Sequence, residues 1–183
     1  MKPLVVSGKF IRISLRTREK ILPREGWKES KAWDNLRREW NDIYFIHTEG
    51  YDMNLSGNSL QVTIRGEELV DPLREMLCGV HGYLIEVTCG ERHTSRDYKE
   101  LVDLNPLPEL KENENIMKVV KVGWKDEYSW EVCSEISRCK APFFGMSDAI
   151  TILHKTTVTG PEYGETSELF GEIKKMIECA RSL

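Results

Sequence analysis

The sequence predicts an α+β fold built from two similar halves, in which helices pack on one face of a mainly antiparallel sheet. The main observation is a repeated segment, since residues 26–34 (GWKESKAWD) and 123–131 (GWKDEYSWE) both read Gly-Trp-Lys-acid and carry a second tryptophan six residues after the first. Four of the five tryptophans lie in these two copies. Apolar residues at helical spacing overlap the end of each copy. Internal duplication into pseudo-symmetric halves is the simplest interpretation.

The first half alternates strand and helix patterns. Residues 3–15 have the period-two alternation of a half-buried strand, and residues 30–43 carry Trp33, Leu36, Trp40 and Ile43 on one helical stripe. Strands are predicted at residues 44–46, 51–55, 59–65 and 83–87, with a helix that begins at Asp71-Pro72 and ends at Gly79. Apart from one extra strand this is β-α-β-β-α-β, the ferredoxin-like order. Residues 90–104 are predicted as a loop and a short helix.

The second half repeats the order in shorter form. A strand is predicted around residues 119–122, a helix through Trp130, Cys133 and Ile136, a strand at residues 150–159, and a helix at about residues 167–182. Residues 105–115 contain two prolines and no apolar period, so they are predicted to link the halves. We therefore expect halves at residues 1–104 and 116–183, joined by that linker into one compact unit.

Composition and cysteine usage restrict the class of protein. The 183 residues are 40% hydrophobic and 31% charged, which allows a real core. No apolar run is long enough to cross a bilayer, and the first residues lack the pattern of a secretory signal. Because the cysteines are five, an odd number, and no signal pattern precedes them, we expect reduced thiols in a cytoplasmic protein. They form no C-x-x-C pair, so we expect no metal, and we expect no cofactor.

Charge is distributed unevenly, with consequences for the choice of partner. Residues 1–42 hold eleven Lys and Arg against six acidic residues, whereas the whole chain has a net charge of −4. A basic quarter on an acidic body indicates a surface for an anionic partner, although such a run can also be a solvated face. The candidate contacts are Lys9, Arg12, Arg16 and Arg18.

One histidine lies where it can do chemistry. His154 and Thr156 alternate to the same face of a predicted strand, where an imidazole and a hydroxyl can grip a phosphate oxygen. The segment Leu153-His154-Lys155-Thr156 resembles the H-x-T/S signature of the 2H phosphoesterases, which are internally duplicated. That resemblance implies phosphodiester or cyclic-nucleotide chemistry. The matching strand of the first half, Leu60-Gln61-Val62-Thr63, has glutamine where the family has its second histidine. Because glutamine cannot transfer a proton, a pocket that binds through Gln61 and Thr63 without turnover is the more natural outcome.

The remaining motifs leave several functions open. Trp27 and Trp124 precede the two predicted helices, where they either staple the chain to the sheet or form matched aromatic contacts for a partner. No glycine-rich phosphate loop, H-E-x-x-H or G-x-S-x-G motif occurs. Our leading hypothesis is a non-enzymatic inhibitor or adaptor that binds a protein with an anionic surface. The alternatives are the phosphodiester or nucleotide pocket and a duplicated saddle that binds duplex DNA, against which the pI near 5.7 argues.

Overall fold

The computed structural model describes residues 6–69, 71–77, 84–95, 107–139, 149–162 and 169–183, which form nine strands and two helices. The strands are β1 Val6–Arg16, β2 Lys28–Asp34, β3 Glu39–His47, β4 Tyr51–Ser56, β5 Ser59–Arg65, β6 Leu84–Ser95, β7 Ile116–Lys125, β8 Tyr128–Cys139 and β9 Ala149–Thr159. The helices are α1 Asp71–Met76 and α2 Leu169–Arg181. Neither helix in this described part of the chain is long and apolar enough to span a lipid bilayer.

All nine strands belong to one antiparallel sheet. Their order across the sheet is β2-β3-β4-β5-β1-β6-β9-β8-β7, so β1 lies at the centre and β2 and β7 form the two edges. The β6–β9 pairing joins the strands of the N-terminal part to the three strands that follow residue 115. The proposed division of the chain at residues 105–115 stays a prediction.

One face of the sheet carries the main core. Alternate residues of a strand point to opposite faces, and residues paired across antiparallel neighbours share a face. Ile13, Val62 and Val87 are fully buried on the same face, together with Leu73 of α1 and Ile173 of α2. We call this the covered face. Burial of each such side chain stabilises the fold by roughly 1.5–3 kcal/mol, so the two helices and the central strands depend on one another.

A second, smaller cluster covers the same face at the C-terminal strands. Ile136 and Ile152 are fully buried there, and Leu110 packs against them from the segment before β7. The other face, which carries Arg12, Ser14 and Thr63, has no helix packed on it among the described residues. We call it the open face.

The prediction of two ferredoxin-like halves is therefore wrong. Ferredoxin-like halves would place two helices in each half on its own sheet, whereas the described chain is one large antiparallel sheet with two helices. The two tryptophan-containing repeats also lie in different settings. Trp27 packs against the main core, whereas Trp124 lies on the edge strand β7 with 77% of its surface exposed.

The helix predicted at residues 30–43 is a β-hairpin, because its apolar spacing also fits two strands folded back on each other. Trp33 of β2 pairs directly with Trp40 of β3, and their ring centroids are 5.4 Å apart. The Asp34 carboxylate accepts hydrogen bonds from the backbone N–H groups of Leu36 and Arg37, which stabilises the turn. Leu36, which the helix prediction placed on the same stripe, is 97% exposed at the tip of the hairpin.

The helix predicted through Trp130, Cys133 and Ile136 is strand β8. Trp130 and Ile136 lie on the covered face, and Cys133 lies on the open face. Cys133 and Ile136 are both fully buried. A strand buried on both sides loses its period-two alternation, so residues three apart resembled a helical stripe.

Several other predictions are confirmed. The strands at residues 51–55, 59–65 and 150–159 and the helices at Asp71 and at the C-terminus are all present. Residues 90–95, predicted as a loop, are instead the second part of β6. Gly79 and the short helix predicted after Ser95 fall outside the described residues.

Candidate functional site

The open face presents hydroxyl, amide and arginine side chains around the central strand. Arg12 of β1 pairs with Thr63 of β5 and with Thr88 of β6, and Thr88 is hydrogen-bonded through its hydroxyl to Thr157, at 2.9 Å. In the next row, Ser14 pairs with Gln61 and Glu86. This part of the sheet is polar because no described element covers it, so short hydroxyl side chains bond to one another across the strands.

Two arginines stand out from this face as exposed positive charges. Arg12 lies with its guanidinium carbon 5.6 Å from the centroid of the Phe10 ring, which holds it over the sheet by a cation–π contact. Arg16 is exposed four residues further along β1, on the same face. Among the ion pairs between described residues none involves Arg12 or Arg16, whereas Arg65 of β5 is bonded to Asp52 at 2.6 Å. The two guanidinium groups are therefore available to carboxylates from outside.

The other two basic residues predicted as partner contacts, Lys9 and Arg18, do not join Arg12 and Arg16. Lys9 lies on the covered face, where it forms an ion pair with Glu67. The hydrogen bond and the charge of Glu67 raise the pKa of Lys9, and Lys9 in turn lowers the pKa of Glu67. Arg18 is exposed in the turn that follows β1. Lys9 is separated from Arg12 and Arg16 because alternation along β1 places odd-numbered and even-numbered residues on opposite faces.

Trp27 and Trp124 do not form one surface. Trp27 directly precedes β2, and Trp124 lies in β7, so the two residues are at opposite edges of the sheet. Trp27 packs on the core, as expected of a staple residue, and Trp124 is an exposed aromatic side chain.

A cleft of about 550 Å³ opens on the covered face beside the C-terminal end of α2. His154 and Thr156 of β9 both line it, together with Ser134 of β8, Cys89 of β6 and Arg181 of α2. His154 Nδ1 lies 3.0 Å from the hydroxyl oxygen of Ser134, so the imidazole is oriented by a neighbouring strand. The cleft combines a titratable ring and two hydroxyls with cations, among them Lys9 and Arg181, and with two carboxylates, Glu67 and Glu91. Such a set suits a polar ligand.

Gln61 and Thr63 lie elsewhere. Register from β5 through β1 and β6 to β9 puts Gln61 and Thr63 on the open face and His154 and Thr156 on the covered face. The structure therefore does not bring the four residues together in one cleft. The two-fold arrangement expected from the resemblance to 2H phosphoesterases would need them to converge.

Several cleft residues had no signal in the sequence. Glu91 pairs with His154 across the strands and lies 2.9 Å from the Nε2 of His93, itself a buried side chain. Burial raises the pKa of the Cys89 thiol, which keeps it protonated at neutral pH. Ser134 lies in a stretch predicted as a helix, and a helix there predicts no contact with His154. Had the stretch been predicted as a strand, its alternation would have indicated that Ser134 can lie beside His154.

Among the described residues no group of three or more His, Cys, Asp and Glu side chains is arranged to hold a metal ion. Comparison with protein-family models, with curated proteins and with solved structures finds no match to this chain.

Proposed function

We propose that this protein is a non-enzymatic binding protein, of inhibitor or adaptor type, that engages another protein with an anionic surface through its open face. The observation that carries the proposal is the pair of exposed arginines, Arg12 and Arg16, on a sheet face that neither of the described helices covers. Because guanidinium groups form two parallel hydrogen bonds with a carboxylate, a partner with acidic side chains at matching spacing suits this face.

The hydroxyl-rich surroundings support the same proposal. Thr63, Ser14 and Gln61 flank the arginines with short groups that donate and accept hydrogen bonds. Protein interfaces of the non-obligate kind have polar rims and are enriched in arginine. Glu86 and Glu131 lie on the same face, and these carboxylates interrupt the continuous positive field that duplex DNA binding needs.

Charge reversal tests the proposal. The double variant Arg12→Glu/Arg16→Glu is compared with the native chain as immobilised bait, and captured proteins are quantified by mass spectrometry. The matched control is Lys31→Glu/Lys111→Glu, since both lysines are exposed and lie away from the open face. We expect the first variant to lose the captured protein and the control to keep it.

Salt dependence then tests the electrostatic part with the purified captured partner. Binding through exposed charges weakens as ionic strength rises, because the Debye length falls from about 10 Å at 0.1 M to about 3 Å at 1 M. Equal affinity of the native chain and the Arg12→Glu/Arg16→Glu variant, with no response to salt, would exclude the open face as the binding surface.

The cleft supports a second candidate function, capture of a small phosphorylated ligand. His154 and Thr156 line it beside Arg181, so a phosphate has an imidazole, a hydroxyl and a guanidinium within one cavity. Thermal-shift measurements with mononucleotides and cyclic nucleotides test this. A shift that disappears in His154→Ala and persists in His47→Ala supports the cleft, and no shift with any nucleotide contradicts it.

We also propose that the protein works in the cytoplasm. The odd number of cysteines and the free thiols of Cys89, Cys133 and Cys179 support a reducing compartment. Alkylation of living cells before lysis, followed by mass spectrometry, would contradict this location if these cysteines were recovered as disulfides.

A further inference from the structure

The two edges of the sheet differ in how they are protected. Strand β2 is seven residues long and carries four charged side chains, a composition that blunts a free edge. Strand β7 is ten residues long, and its outer side has no neighbouring strand among the described residues. Every second residue of β7 therefore directs its backbone N–H and C=O groups away from β8 and toward a site where another strand can pair.

Five of the eleven large apolar side chains that are exposed among the described residues lie in β7. Ile116, Val120, Val122 and Trp124 lie on the open-face side of β7 with exposed fractions of 59%, 42%, 71% and 77%. Lys118 is the only other residue of β7 on that side. An apolar stripe along an unpaired strand edge is a surface built for strand addition.

We infer that β7 pairs antiparallel with β7 of a second copy of this chain, about a two-fold axis at Val120. About a two-fold axis perpendicular to the sheet, paired residues of the two copies lie on the same face, so their numbers differ by an even number. The axis therefore passes through a residue that pairs with its own copy, and not between two residues. Two registers then overlap nine residues. One is centred on Val120 and the other on Lys121.

Side-chain pairing selects the first register. Centred on Val120, it sets Val120 against Val120 and Ile116 against Trp124, which are the apolar and aromatic pairs that stabilise antiparallel strands. Centred on Lys121, it would set two lysines directly against each other, which is unfavourable.

Charge supports a second copy as the occupant. In the register centred on Val120, Lys118 lies opposite Val122 of the second copy. On β8, the residue next to Val122 is Glu131. Two strand spacings, about 10 Å, separate the backbones of Lys118 and Glu131 of the second copy, a span that the two long side chains bridge together. Each copy thus supplies one cation and one carboxylate, and the two-fold axis gives two such pairs.

The size of the contact sets the expected strength. Nine paired residues extend over about 30 Å, a contact at the lower end of specific interfaces. We therefore expect a reversible dimer whose dissociation constant is on the order of micromolar, visible as a concentration-dependent mass in analytical ultracentrifugation.

Cysteine scanning tests both the dimer and its register. In Val120→Cys the two new thiols face each other at a Cα separation of about 4.5–5.5 Å, which a disulfide spans. In Val119→Cys and Lys121→Cys the equivalent residues are diagonal neighbours about 7–8 Å apart, beyond the reach of a disulfide. Under mild oxidation, Val120→Cys should give a crosslinked dimer on a non-reducing gel, and the other two variants should match the native chain.

Charge variants give the second readout without relying on oxidation. Val120→Glu sets two carboxylates against each other and should raise the dissociation constant at least about tenfold. Val122→Glu sets a carboxylate against Lys118 of the second copy and should leave the dimer intact or tighten it. Ser30→Glu on β2 is the control, and circular dichroism checks that each variant is folded.

The outcomes separate cleanly. A monomer at all concentrations with no Val120→Cys crosslink overturns the inference, and so does a dimer that Val120→Glu does not weaken. Preferential crosslinking of Lys121→Cys overturns the register. A monomer that instead binds an extended acidic peptide along β7 would show that the edge has a different occupant.

Discussion

Replacement of Ile173 by alanine tests which face of the sheet is covered. Ile173 lies in the middle of α2 and has no exposed surface. The substitution removes three carbons, which corresponds to about 2.4 kcal/mol at roughly 0.8 kcal/mol for each buried methylene. The cavity left behind adds to this loss, and large-to-small changes of this kind cost about 2–5 kcal/mol. We expect the free energy of unfolding to fall by about 3 kcal/mol.

Urea denaturation followed by circular dichroism measures this change. The midpoint should fall while the slope stays constant, because the surface exposed on unfolding is almost unchanged. In a chain of this size the melting temperature should fall by about 6–12 °C, at roughly 2–4 °C for each kcal/mol. The matched control is Glu178→Ala, at an exposed position of the same helix, which should change stability by less than about 0.5 kcal/mol.

A loss below about 1 kcal/mol for Ile173→Ala would refute the reasoning. It would mean that α2 does not bury this side chain against the strands. The distinction between the covered and the open face would then fail, and with it the argument that Arg12 and Arg16 face solvent.

Three further predictions concern local features. The backbone N–H groups of Arg37 and Leu36 lower the pKa of Asp34. The Asp34 carboxylate therefore stabilises the turn above the pKa of an unfolded aspartate, and this stabilisation is lost as pH falls through the lower pKa of the folded state. A carbon-detected NMR titration that gives an ordinary aspartate pKa would contradict this. A double-mutant cycle on Trp33→Ala and Trp40→Ala should give a coupling energy of about 0.5–1.5 kcal/mol in denaturant unfolding, and near the lower end because both rings are exposed. Because burial raises the pKa of Cys89, iodoacetamide should modify it at pH 8 more slowly in the folded chain than in urea, and equal rates would argue against its burial.

Local periodicity was sufficient for strands that are buried on one side only. In β5, Leu60, Val62 and Ile64 are buried and the residues between them are more exposed, so the strand was predicted with its observed bounds. The C-terminal helix was predicted for a similar reason, because its apolar residues follow the helical period against a single surface. In these elements the spacing of apolar residues in the sequence directly reflects which side is buried.

The errors arose where a pattern depends on a distant or facing residue. Gly90 suggested a loop, but it lies inside β6 because the Phe10 ring of β1 occupies the space of a side chain there. A Cβ on Gly90 would lie 2.3 Å from a ring carbon of Phe10. The need for glycine comes from a residue eighty positions away, so no local pattern contains it.

The candidate site residues show the same difference between what a local pattern predicts and what depends on distant strands. Alternation alone predicted that His154 and Thr156 share a face, and the register of β9 confirms it. Their neighbours Ser134 and Cys89 are set by the pairing of β9 with β8 and β6, which joins segments 20 and 67 residues away in the chain. The register through β5, β1, β6 and β9 separates Gln61 from His154, although each lies in a strand that was predicted correctly.

The open face and the β7 edge are exposed for different reasons, so the two proposals can fail separately. Among the described residues no helix covers the open face, because α1 and α2 lie on the other side of the sheet, and its residues are hydroxyl and charged groups that water also satisfies. The β7 edge has no neighbouring strand in the described part of the chain, because the sheet ends there, and exposure of the apolar Val122 and Trp124 side chains to water is unfavourable. A dimer through β7 would set the two open faces on the same side of one continuous sheet. The four guanidinium groups of Arg12 and Arg16 would then face one direction, and an anionic partner with repeated acidic sites would bind the dimer more tightly than the Val120→Glu monomer.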